Sequence, residues 1–72
     1  MEVRLFATLR EGRGNAADVP WCEGMDGHAL LKTLGIAADD VAIFLINGVA
    51  SEPDAALKAD DIIALFPPVG GG

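Results

Sequence analysis

The 72-residue sequence contains only one cysteine and one histidine, and its apolar runs are no longer than a β-strand. Cys22 has no partner for an intramolecular disulfide, which is typical of proteins that work in the reducing cytoplasm. Cys22 and His28 are also too few to build a metal site or a catalytic triad. No apolar run approaches the ~18 residues of a membrane span, and the N-terminus carries charges where a signal peptide would be apolar. We therefore predict a cytoplasmic protein with no membrane segment and no metal.

Basic residues are scarce as well: five stand against eleven acidic ones, for a formal net charge of −6. Such a surface repels the phosphates of DNA and RNA, so we expect no nucleic-acid partner. It suits docking to basic patches on larger proteins; the alternative is that the charge only keeps the protein in solution. The composition itself, 51% hydrophobic and 22% charged, is that of a folded domain. A chain of this length supplies one core, so residues 1–72 are predicted to form a single domain.

The first half of the sequence predicts two strands and a helix. Apolar residues alternate over residues 2–8, where Val3, Leu5 and Ala7 share one face, and a glycine-rich turn over residues 11–15 leads to a weaker strand at residues 16–21.

The helix is predicted over residues 27–34. Asp26 is placed to cap its N-terminus, Met25 to pack on Leu30, and Gly35 to end it in the left-handed conformation.

The second half predicts three more strands. Residues 41–46 are an uninterrupted apolar run, Asn47-Gly48 is a hairpin turn signal, and residues 49–50 begin the return strand. Residues 51–59 have the composition of a loop, and residues 62–66 form the last strand. This order predicts an α+β, ubiquitin-like β-grasp fold, in which a mixed sheet of four to five strands carries one main helix on one face.

One short helix covers only one face of such a sheet, yet its two central strands are apolar on both faces. Phe66 shares a face with Ile62 and Ala64, and Phe44 shares one with Ala42 and Ile46; the sequence does not fix which set meets the helix. Phe6 lies opposite the Val3 face and is expected to join the exposed set. A contiguous exposed apolar patch usually marks an interface, the alternative being that residues 51–59 cover it.

The C-terminal residues 67–72 are predicted to form a projecting tail. Pro67-Pro68 is stiff and extended, and Gly70-Gly71-Gly72 has no side chains, so its backbone can enter a passage too narrow for a Cβ atom. The alternative is an idle chain end. Predicted partner-binding residues are Phe6, Phe44, Phe66, Pro67, Pro68, Val69 and Gly70. Away from the tail, His28 is predicted to be an exposed helix residue and Cys22 a small packing residue, with a persulfide-carrying thiol as the alternative.

Three motifs follow one another in the second half: Asn47-Gly48, residues 57–61, and the ending Phe66-Pro67-Pro68-Val69 with a closing Gly71-Gly72. In order and spacing they resemble the signature of the MoaD/ThiS family of ubiquitin-like sulfur carriers, and the resemblance extends over the whole chain. The ending is more similar to the small subunit of molybdopterin synthase than to the thiamine carrier.

The resemblance implies that an ATP-dependent adenylating enzyme activates the carboxylate of Gly72, with Gly71 as the second working residue of the tail. Sulfur then replaces AMP and leaves a thiocarboxylate, which donates sulfur in molybdopterin (molybdenum or tungsten cofactor) biosynthesis. The expected partners are the adenylating enzyme, a sulfur donor protein and the larger synthase subunit. The carrier itself would bind no cofactor and contribute no catalytic side chain, since ATP is used by the activating partner.

Three alternatives stay open at this point. The first is a sulfur carrier for thiamine-thiazole or amino-acid biosynthesis. The second is a ubiquitin-like modifier conjugated to lysines, and the third is an interaction domain with an idle tail.

Overall fold

The computed structural model describes residues 1–68. The strands are β1 (Glu2–Leu5), β2 (Ala16–Asp18), β3 (Ile43–Ile46), β4 (Val49–Ala50) and β5 (Ile62–Phe66), and the α-helix is α1 (Gly27–Leu34). Two short 3₁₀ helices, Ala7–Arg10 and Ala38–Asp40, follow β1 and precede β3. The strand order is β2-β1-β5-β3-β4; β1 and β5 are parallel, and the other neighbouring pairs are antiparallel. This is the predicted β-grasp arrangement, a mixed five-stranded sheet with one α-helix.

The helix has the predicted bounds because its two end signals act as expected. The carboxylate of Asp26 accepts a hydrogen bond from the backbone N–H of Ala29 at 2.9 Å, which satisfies one of the free donors of the first turn. Gly35 adopts a φ of 71°, the left-handed conformation that ends a helix. Between them, Leu30 and Leu31 are buried in the core.

The core lies between α1 and one face of the sheet. Val3 and Leu5 of β1 pair with Ile63 and Leu65 of β5, and all four side chains are at most 1% exposed. Phe44 of β3 lies opposite Leu65 and belongs to the same cluster. The alternation of buried and exposed residues along β1 and β5 therefore divides the sheet into a face toward the helix and a face away from it.

Three strands are shorter than the sequence pattern predicts. The first ends at Leu5, because Ala7 takes a φ of 55° and starts a 3₁₀ helix, so its side chain is exposed and does not continue the buried face. The second ends at Asp18, two residues before Pro20, whose ring nitrogen has no hydrogen to donate. The third begins at Ile43, because residues 38–40 form a 3₁₀ helix directly before it.

Within residues 1–68, no helix is long and apolar enough to cross a membrane.

Candidate functional site

On the sheet face away from α1, Glu2 and Arg4 of β1 carry charge, and the area over β3 and β5 is apolar and not covered by any other part of residues 1–68. We call it the outer face and define it by six residues: Phe6, Ile43, Leu45, Ile62, Ala64 and Phe66. The strand register places Ile43 opposite Phe66 and Leu45 opposite Ala64, so these side chains project on the same side. Ile43 is 45% exposed and Ile62 40%, which is unusual for isoleucine. A contiguous patch of this kind is a candidate for protein docking.

Two aromatic rings lie where this face meets the C-terminal tail. Phe6 and Phe66 are stacked, with ring centroids 4.2 Å apart and planes 7° from parallel. The backbone N–H of Phe6 donates to the carbonyl of Leu65 at 3.2 Å, which holds the end of β1 against the end of β5. The guanidinium carbon of Arg10 lies 5.6 Å from the centroid of the Phe6 ring. The prediction that Phe6 joins the exposed set with Phe66 agrees with this geometry.

Phe44 does not belong to the outer face. Its side chain is 4% exposed and packs in the core, while its neighbours Ile43 and Leu45 project outward. The structure thus corrects the place of Phe44: in the free protein its ring has almost no surface to offer a partner. Ile43 and Leu45 occupy the outer position on β3 instead.

The loop at residues 51–59 lies against the start of the helix. The carbonyl of Pro53 accepts a hydrogen bond from the N–H of His28 at 3.0 Å, and the N–H of Leu57 donates to the carbonyl of Met25 at 2.9 Å. Ala56 also forms an isolated bridge with Asp26. The alternative that this loop covers the exposed apolar face is therefore wrong.

The tail leaves the sheet from the end of its central strand. Pro67 is half-buried and Pro68 is exposed, and both border a cleft of about 350 Å³. The other walls of the cleft come from the two 3₁₀ helices and the turns beside them: Thr8, Leu9, Arg13, Ile36 and Asp40. Val69, Gly70, Gly71 and Gly72 lie outside the described residues, so their roles stay predictions.

A polar network not indicated by the sequence fastens the start of β5. Asp61, which is buried, accepts hydrogen bonds from the side-chain amide of Asn47 at 2.9 Å and the backbone N–H of Lys58 at 2.8 Å. The amide oxygen of Asn47 accepts from the N–H of Ile62 at 2.9 Å. Asn47 has a φ of 52° and Gly48 of 82°, as their turn signal predicts, but that signal concerns the backbone alone. The side-chain network ties this turn to the strand that leads to the tail.

The two candidate reactive side chains lie apart from this surface. His28 is exposed in the first turn of α1, as predicted. Cys22 is exposed in a loop, so the prediction that it packs in the interior is wrong. Among residues 1–68, no group of histidine, cysteine and carboxylate side chains is arranged to hold a metal ion.

Comparison with known proteins agrees with the fold and the motifs. The model of the ThiS family matches residues 3–72. This chain belongs to the ThiS family. The crystal structure of SAMP1 from Haloferax volcanii is similar to this structure, with a TM-score of 0.79 and 30% sequence identity over 99% of this chain and 97% of that chain. A search of curated protein sequences finds no significant match.

This membership of the ThiS family confirms the resemblance to ubiquitin-like proteins of the MoaD/ThiS type. Such proteins are sulfur carriers or modifiers, and they interact with activating enzymes and other partner proteins.

Proposed function

We propose that this protein carries sulfur for molybdopterin biosynthesis as a thiocarboxylate on Gly72. One observation supports this most directly: the uncovered apolar face of a ThiS-family sheet continues, at the end of β5, into Pro67-Pro68 and the glycine ending. A partner that covers the outer face would therefore lie beside Pro67-Pro68, where the tail begins. The protein would work in the cytoplasm, as its single cysteine suggests.

The chemistry needs activation because a carboxylate is a poor electrophile. In the proposed first step, a carboxylate oxygen of Gly72 attacks the α-phosphorus of ATP, which forms a P–O bond and releases pyrophosphate. In the second, hydrosulfide released by the donor protein attacks the carbonyl carbon and forms a C–S bond, AMP leaves with the electron pair of the broken C–O bond, and the thioacid loses its proton to give the thiocarboxylate. The carrier presents the carboxylate, and the activating enzyme holds ATP and does the catalysis.

The tail suits this task by its reach. An extended residue spans at most ~3.3–3.6 Å, so the four residues after Pro68 carry the carboxylate on the order of 13 Å beyond the prolines. Residues without Cβ atoms let that backbone pass through a narrow channel. The outer face would dock first on the adenylating enzyme and afterwards on the larger synthase subunit, one partner at a time.

The molybdopterin pathway is proposed because the Phe66-Pro67-Pro68-Val69 ending is more similar to the synthase small subunit than to the thiamine carrier. The test begins with the purified protein, its activating enzyme, ATP and a sulfide source. Intact mass spectrometry should then show one oxygen replaced by sulfur at the C-terminus. Adding the larger synthase subunit and a sulfur-free pterin precursor should return the carboxylate and yield the dithiolene product.

A variant that ends at Gly70 is the control and should gain no sulfur. The absence of a thiocarboxylate with every sulfur source tried would refute the carrier role. A thiocarboxylate that no molybdopterin synthase consumes would indicate a thiazole or amino-acid pathway instead. A ladder of heavier, lysine-linked conjugates in cell lysate would favour a protein modifier.

A further inference from the structure

Arg10 carries a guanidinium that the described fold leaves largely uncommitted. Arg4 is ion-paired with Glu2, and the guanidinium of Arg13 donates to four backbone carbonyls, two of them at the end of α1. Arg10 donates only through Nε, to the carbonyl of Leu5 at 3.0 Å. Within residues 1–68, neither of its terminal nitrogens has a hydrogen-bond partner.

The positive charge of Arg10 lies beside the aromatic pair at the start of the tail. Its guanidinium carbon lies 5.6 Å from the ring centroid of Phe6, and that ring is stacked on Phe66, the last residue before the prolines. Arg10 is exposed and lies beside Phe6, so the four N–H groups of its terminal nitrogens, which have no partner among residues 1–68, border the outer face at the start of the tail. A positive group at this place contrasts with the net charge of −6 of the whole chain.

We propose that Arg10 is a docking contact that pairs with a carboxylate of the activating enzyme, at the mouth of the passage that receives the tail. This inference rests on the proposed function and names the chemistry of the partner surface. That surface would have an apolar area that contacts the outer face and an acidic side chain at its rim. A guanidinium offers two parallel N–H donors, a geometry that fits a carboxylate better than an ammonium does.

The reach of the tail decides between a carboxylate and a nucleotide phosphate as the anion. The phosphates of ATP meet the carboxylate of Gly72, which an extended tail carries on the order of 13 Å beyond Pro68. Arg10 lies beside Phe6 and Phe66, and Phe66 is the residue that directly precedes the prolines. It therefore stays at the entrance while the reaction takes place inside, so its partner is a group of the enzyme's rim.

The pair would also set the orientation of docking. The body of the carrier is acidic and its tail end carries a free positive charge, so an acidic rim attracts that end and repels the rest of the surface. Charge complementarity of this kind favours the correct encounter and penalises reversed ones.

The experiment measures carrier-dependent ATP–pyrophosphate exchange by the activating enzyme. Arg10→Gln should raise the KM for the carrier about tenfold, as expected for the loss of one charge-assisted pair at a partly exposed rim, with kcat and the KM for ATP unchanged. Arg10→Glu should raise it further, and Arg10→Lys should recover part of the loss. The matched controls are Lys32→Gln and Lys32→Glu, which make the same charge changes on the exposed side of α1. They should leave the KM nearly unchanged.

Equal effects at Arg10 and Lys32 would overturn the inference, because net charge alone would then explain them. A raised KM for ATP in Arg10→Gln would also overturn it, since the residue would then act on the nucleotide. Thermal unfolding of each variant shows that the comparison is made on folded protein, since Arg10 also donates to Leu5. If the wild type itself supports no exchange, both this inference and the proposed function fail. If the wild type supports exchange and the Arg10 variants have the same KM for the carrier, this inference fails and the proposed function stands.

Discussion

Gly27 provides a test in which sequence and structure predict opposite signs. It is the first residue of α1, and replacing a helical glycine with alanine ordinarily stabilises a protein by up to ~1 kcal/mol. In this fold a Cβ atom on residue 27 would lie 2.5 Å from the carbonyl oxygen of Pro53 and 2.9 Å from the Cζ atom of Phe44. We expect Gly27→Ala to destabilise the protein, because the backbone of the 51–59 loop would have to move.

The size of the effect follows from three contributions. Crowding of a packed site costs about 1–3 kcal/mol, and displacing Pro53 weakens its hydrogen bond from the N–H of His28, worth about 1 kcal/mol. The helix gain offsets up to ~1 kcal/mol. The net loss is about 2 kcal/mol, a large fraction of the roughly 4–11 kcal/mol expected for a domain of 72 residues. It corresponds to a fall in Tm of about 8–16 °C.

Thermal unfolding followed by circular dichroism measures this difference. The control is Gly24→Ala: Gly24 has a φ of 85°, but a Cβ atom there meets nothing within 4 Å, so only left-handed backbone strain is added. That control should lose about 1 kcal/mol, or a Tm fall of about 4–8 °C. A Tm of Gly27→Ala at or above that of wild type would refute the packing argument.

Three further predictions separate folding from function. Ile43→Asp, on the exposed edge of the outer face, should keep the fold by circular dichroism but raise the KM of the activating enzyme for the carrier about tenfold or more; loss of folding would instead show that this face is core. Asp61→Ala should lower the free energy of unfolding by about 2 kcal/mol in urea, because the side-chain amide of Asn47 and the N–H of Lys58 lose their acceptor, and an unchanged midpoint would contradict the network. Gly71→Val should keep the wild-type Tm but lose adenylation or sulfur transfer, and a residue appended after Gly72 should block sulfur incorporation; an appended, uncleaved variant that still gains sulfur rules out Gly72 as the working group.

The elements with local signals could be predicted from the sequence, and those whose ends depend on the rest of the fold could not. α1 has a capping residue before it and a glycine after it, and β5 is stopped by two prolines, so both have their predicted bounds. The end of β1 has no such signal. Ala7 leaves the strand with a positive φ, which its sequence gives no reason to expect, and Leu9, two residues later in the 3₁₀ helix, is buried.

The outer face could be predicted to exist but not assigned to particular residues of β3. In an uninterrupted apolar run both sets of alternating residues are apolar, so the sequence does not show which set faces the core. A one-residue shift of the strand exchanges its two faces. Pairing with β5 decides the matter, since Phe44 lies opposite the buried Leu65 and Leu45 opposite the outward Ala64. The network around Asp61 could not be predicted from the sequence either, because it joins residues 14 positions apart that meet only in the folded sheet.

β5 contributes residues both to the hydrophobic core and to the outer face. Its inward residues Ile63 and Leu65 are fully buried, while Ile62 and Phe66 project from the other face and stay partly exposed in the free protein. The hydrophobic stabilisation of the free protein therefore comes mainly from the inward set, since this contribution scales with the apolar area removed from water. The outward set keeps more of its apolar area in contact with water, and a partner that covered it would remove that area. Because β5 is paired on both sides and fastened by Asp61 at its start, the tail begins from one of the most constrained backbones of the sheet. The outer face and the origin of the tail are thus fixed relative to each other, so a partner that recognised one would receive the other in a defined position.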